Sequence, residues 1–172
     1  MSKKLSLSLC ILMAFISPDQ LDALFPDVLR WIRSLEEDAK KFGRTLAPLQ
    51  ISLAQTVGIA HPEKVRIWWV PKIPLPPDPH IVQLAEQIGV LNFNTRGLTA
   101  IYSVIVRLDC ANQPRLLAHE FAHVEQYERL GVEGFLREYL RQLNEYGYQN
   151  SPFELEAEAK AIKALEAFRD AR

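Results

Sequence analysis

The sequence predicts a helix-rich α+β fold in a single domain, with a small sheet. Three observations carry this reading: long stretches with apolar residues at three- and four-residue steps, only two β-branched or aromatic runs, and no linker, repeat or low-complexity tract between them. At 172 residues and 48% hydrophobic content the chain can build one real core and is short for two. We divide it into a helical part over 1–60, a strand and loop part over 61–110, and a helical part over 111–172.

Residues 1–17 have two readings. Lys3 and Lys4 precede an uncharged stretch over 5–17, which outlines a signal peptide or a tether. Phe15 spoils a small-x-small cleavage site, Leu9 spoils lipidation at Cys10, and the stretch is too short to span a bilayer. We therefore expect a core-facing element and a cytoplasmic protein, with secretion or membrane tethering as the lesser reading. Cys10 and Cys110 lack metal-ligand or disulfide-framework spacing and read as reduced thiols.

After Pro18, Leu21, Leu24, Phe25, Val28, Leu29, Ile32 and Leu35 mark a helix that Gly43 stops, with a late start or a kink expected at Pro26. A second helix is expected over about 46–57, ending near Gly58. The run VRIWWV over 65–70 reads as a strand, and the prolines from 71 to 79 as a stiff surface connection. A short helix over 80–88 closes at Gly89. LTAIYSVIVRL over 98–108 is the strongest strand pattern. Three helices then follow: 114–130 ending at Gly131, about 132–145 before Gly147, and 151 to the C-terminus.

The chemistry concentrates in the first of these three. LLAHEFAHVEQY carries His119, Glu120 and His123. On a helix, residues four apart share a face about 6 Å apart along the axis, so both imidazoles can reach one Zn²⁺. Glu120, a third of a turn round from His119, suits a general base toward a water that the metal acidifies. Asn112 or Asp109 can cap this helix, Pro114 suits its first turn, and Leu116, Leu117, Phe121 and Val124 supply packing.

A catalytic zinc needs a third protein ligand. His61 and His80 lie upstream in proline-flanked loops, which leaves the acids of SPFELEAEAKAIKALEAF. There Phe153, Ala157, Ala161, Ala164, Leu165 and Phe168 define an apolar arc that includes Glu154 and Glu158, while Glu156 points away beside Lys160 and Lys163. A carboxylate on a buried face needs a partner, and a metal supplies one. Glu154 is thus the expected third ligand, and Glu158 the acceptor that orients a ligand histidine. The competing explanation of Glu154 is an S-x-x-E capping box from Ser151.

HEFAH followed by the Glu154–Ala161 segment resembles the gluzincin branch of the zincin metallopeptidases. The stretch from His119 onward is also similar to small bacterial zincin-like domains with an H-E-x-x-H-V-x-Q core. The resemblance covers roughly 98–161 and does not reach the N-terminal half. It implies zinc held by two histidines of one helix and a glutamate of a later one. It also implies that strand 98–108 is a sheet edge along which an extended peptide lies. The oxyanion-stabilising residue stays unassigned, with Tyr146 and Tyr148 as candidates.

The expected function is therefore zinc-dependent peptide hydrolysis with a peptide or protein substrate. The alternative is a non-catalytic zincin-shaped binding or sensing module whose zinc is structural or absent. A net charge of -1, with both signs interspersed, argues against a nucleic-acid partner. No feature of the sequence sets an oligomeric state.

Overall fold

The computed structural model describes residues 16–170, so the reading of 5–17 lies, apart from Ile16 and Ser17, outside the described residues. Helix α1 runs Pro18–Phe42, opened by Ser17 in a capping box with Gln20 and closed by Gly43. Pro26 lies inside α1, so the late helix start expected there does not occur. The hydrogen bond a proline forgoes falls here on an exposed face, open to solvent. The start of α1 is tied to a later helix by Asn144, whose amide exchanges hydrogen bonds with both backbone groups of Ile16 (2.9 and 2.8 Å).

The two-residue strand β1 (Arg44–Thr45) precedes helix α2 (Pro48–Val57), which Gly58 closes in the left-handed conformation. Strand β2 (Arg66–Val70) is followed by the irregular proline segment and then by α3 (Pro79–Gln87), capped by the Asp78 carboxylate. Strands β3 (Gly97–Ala100) and β4 (Ser103–Arg107) come next. Helices α4 (Pro114–Leu130), α5 (Val132–Tyr146) and α6 (Pro152–Asp170) complete the chain.

The sheet order is β1-β2-β4-β3, with β2 and β4 parallel and the outer pairs antiparallel. This corrects the single strand expected over 98–108. The chain reverses at Ile101 and Tyr102, with Ala100 opposite Ser103 and Ile101 at φ 59°. A two-residue hairpin of this kind usually announces itself with Asn or Gly, and here a β-branched residue takes the strained position. Of the two strands in this stretch, β3 is a sheet edge, opposite the other edge β1, and β4 lies inside. The cap of α4 is a second correction. Gln113 occupies it without a side-chain bond, and Asp109 is instead paired with Arg107.

Two apolar clusters meet at α4. One joins α2, β2 and β4 to α4 and α6, with Phe121, Val124 and Ala118 fully enclosed. There α6 presents Ala157, Ala161 and Ala164, whose small side chains let its backbone approach α4 closely. The other cluster joins α1, α3 and the β3–β4 hairpin to Phe135 and Leu136 of α5. Among the described residues no helix is long and apolar enough to cross a membrane.

Candidate metal centre

The approach of α6 to α4 brings Glu154 opposite the histidine pair. His119 Nε2 and His123 Nε2 stand 3.2 Å apart. The Glu154 carboxylate lies 3.2 Å from the first and 3.3 Å from the second. Donors held at about 2.0–2.1 Å from a tetrahedral zinc stand about 3.3 Å from one another, and here Oε2 of Glu154 stands that far from His119 Nε2 and Oε1 that far from His123 Nε2, so the two imidazoles and the carboxylate frame such a site. The donor set, two imidazoles and a carboxylate, is one that zinc takes, and the three residues are the metal-competent cluster among the described residues. His61 and His80 are both exposed and lie outside it.

The surrounding hydrogen bonds fix which atoms face the centre. Gln126, fully buried one turn beyond His123, accepts from His123 Nδ1 at 2.9 Å. Its amide orientation is set from the far side, because Gln126 Nε2 donates to the Phe153 carbonyl and to Glu156, both at 3.0 Å. The acceptor on Nδ1 holds a proton there, so the neutral His123 imidazole would offer its Nε2 lone pair to a metal. Tyr139 of α5 donates to Glu154 Oε1 at 2.6 Å. Gln142, also on α5, accepts from the Phe153 amide (2.8 Å) and the Ser151 hydroxyl (3.0 Å), satisfying the first turn of α6. The expected capping-box explanation of Glu154 is thereby corrected. Ser151 turns to Gln142, and its own amide bonds to the Tyr148 carbonyl.

Burial opposes ionisation of Glu154, but hydrogen bonds from His119 and His123, the His123 charge and Tyr139 outweigh it and hold the carboxyl below the usual carboxylate range. Burial likewise disfavours the His123 cation, yet the bond and charge of Glu154, together with Glu120, raise its pKa to about 9. Burial, joined by the charge of Glu154, pushes the Tyr139 and Tyr148 phenols up, so both remain donors at neutral pH.

Glu120, 5% exposed, is fastened from the sheet edge. Thr99 Oγ1 donates to Glu120 Oε2 at 2.7 Å and lies 3.0 Å from the Glu120 carbonyl. Gly97 leaves room for the carboxylate, because a Cβ there would stand 2.4 Å from Glu120 Oε1. Edge strand β3 therefore seats the acid, with a hydroxyl at one residue and the absence of a side chain at another.

Glu158 is placed less simply than its helical face suggested. It is 37% exposed, its Oε2 lies 3.7 Å from His119 Nδ1, beyond a hydrogen bond, and its other oxygen pairs with Arg115. Glu156 is 34% exposed and serves Arg129, Lys160 and Gln126. Of the two tyrosine candidates, Tyr148 borders the site, and Tyr146 is exposed away from it.

Sequence reasoning missed Gln126, Tyr139, Thr99 and Gly97 as parts of the centre. A signal existed for Gln126, a polar residue three positions after His123 on the same helix. The other three come from α5 and β3, apart from the two helices that carry the cluster, and only tertiary packing brings them in.

Two cavities meet at the cluster. An open polar cleft of about 380 Å³ has His119, Arg115, Gln113 and Asn92 in its walls, and a second, apolar cavity of about 120 Å³ reaches His123 and Glu154. Glu120, Gly97 and Tyr148 border both. Compared with protein-family models, with curated proteins and with solved structures, the chain finds no match.

Proposed function

We propose that the chain is a zinc-dependent metallopeptidase, in which His119, His123 and Glu154 hold the metal and Glu120 is the general base. One observation carries the reading: two imidazoles and a carboxylate gathered at separations that a zinc site needs, with a second carboxylate that coordination does not require seated beside them. Zinc bound here would supply Lewis acidity, polarising a substrate carbonyl and lowering the pKa of a water.

The rest of the chemistry falls to the chain. Glu120, steadied by Thr99, takes a proton from the attacking water and passes it to the leaving amine. Tyr148, whose phenol stays protonated beside Glu154 and Glu120, is placed to donate toward a carbonyl oxygen that gains charge. Edge strand β3 runs next to Glu120 and offers main-chain groups to an extended peptide.

The test is Glu120→Gln. It keeps the shape of the side chain and removes the base, so hydrolysis of a peptide substrate should fall about 10²–10⁴-fold with zinc content unchanged. Unchanged hydrolysis with zinc retained would overturn the role of Glu120. An intact zinc site that hydrolyses no peptide, and a Tm that drops on chelation, would favour the structural module instead.

A further inference from the structure

The cavity behind His123 is built unlike the polar cleft on the other side of the cluster. Leu24, Val28 and Trp31 of α1, Leu84 and Ile88 of α3, and Leu98 of β3 face into it, and each keeps part of its surface uncovered by protein. Its polar lining gathers at one end, where Glu120, His123 and Glu154 stand. An apolar void of roughly this size has room for a small apolar guest. Two of its walls, α1 and α3, lie outside the 98–161 stretch that resembles zincins, so the cavity belongs to this chain's own N-terminal half.

We propose that this cavity receives a long apolar side chain of the substrate, carried by the residue adjoining the scissile bond. The proposal rests on the metallopeptidase reading, because it is the shared lining of Glu120, His123 and Glu154 that makes a guest in the cavity contiguous with the reacting carbonyl. An aspartate or glutamate side chain is excluded, since its charge would be buried without a partner and next to two carboxylates. Leucine, methionine and phenylalanine fit, each covering apolar wall that the protein leaves exposed.

The experiment uses two ligand series on the full chain. Straight-chain alkyl hydroxamates, from acetohydroxamate to octanohydroxamate, are titrated into zinc-loaded protein by calorimetry. The 1-alkanols from hexanol to decanol, which have no metal-binding head, are titrated into zinc-free protein and read by Trp31 fluorescence, with Trp31→Phe as the control. Affinity should rise by up to about fourfold per methylene in both series and level off once the cavity is filled. Val28→Phe and Leu84→Phe should flatten both series, while zinc content and acetohydroxamate affinity show that each variant is folded.

A flat hydroxamate series on protein that binds zinc and acetohydroxamate would overturn the cavity proposal and leave the metal reading intact. Failure to take up zinc, with alkanol affinity still rising with length, would overturn the metal reading and support the cavity as an apolar-chain site. Flat series in both arms would overturn the cavity proposal outright.

Discussion

The two sides of the candidate centre are held by different forces. On the α4–α6 side, buried polar groups are bonded one to the next: His123 to Gln126, Gln126 to the Phe153 carbonyl and Glu156, Glu154 to Tyr139, and Gln142 to the first turn of α6. On the α1–α3 side the walls are aliphatic and aromatic, and they enclose space rather than each other. Directional bonds fix atoms to within tenths of an ångström, which metal ligation and proton transfer need. Apolar walls fix only shape and tolerate a range of guests. In the proposed metallopeptidase, reactivity belongs to one side and selectivity to the other, and mutations on the two sides should fail differently.

The sharpest break in that contrast is expected from the two carboxylates that α6 brings to the histidines. Glu154→Ala should weaken zinc binding by more than about 100-fold, since it removes the proposed third ligand, whereas Glu158→Ala, which frees Arg115 and leaves His119 Nδ1 without a near acid, should cost about tenfold or less. Competition titration with a zinc chelator checks both. Gln126→Leu comes next. It removes the acceptor on His123 Nδ1 and frees the far side of the imidazole, so zinc affinity should fall about 10–100-fold, and Gln126→Glu, which keeps an acceptor there, should recover part of it.

Gly97→Ala should act on the base and spare the metal. The new methyl would press on the Glu120 carboxylate, and an acid displaced by even about 1 Å can lose on the order of 10²-fold in rate. Steady-state kinetics beside zinc analysis separates the two effects. The smallest effect lies away from the centre, at the hairpin turn. Burial and the neighbouring Glu128 carboxylate push the Tyr102 phenol up to about 12. Its folded value exceeds the unfolded one near 10, so its contribution is complete below about pH 10 and is lost as pH rises toward 12. Tyr102→Phe should flatten that alkaline decline in urea-denaturation midpoints.

How much of this could be read from the sequence follows the same division. The helix-rich α+β class and the course of α4, α5 and α6 were legible, because 3.6-residue periodicity and the glycines at 131 and 147 are local signals. The histidine pair was legible from spacing, and the placement of Glu154 opposite it from the wheel of a single helix. The β3–β4 reversal was not, since Ile101 and Tyr102 carry no turn signature and the run looked continuous. Strand β1, two residues long, has no periodicity to read. Tyr139, Thr99 and the apolar cavity depend on how α5, β3, α1 and α3 meet α4. Contacts of that range leave no mark in a local pattern, and the helical wheel that singled out Glu154 gave Glu158 more burial than it has.

His119, His123 and Glu154 are proposed to form one zinc site. Elemental analysis of the purified full chain, beside His119→Ala, His123→Ala and Glu154→Ala, tests it most directly. About one zinc per chain is expected in the wild type and its loss in all three variants, with the fold retained by circular dichroism. A wild-type chain that cannot be loaded with zinc, or a Glu154→Ala variant that keeps full affinity, would contradict it.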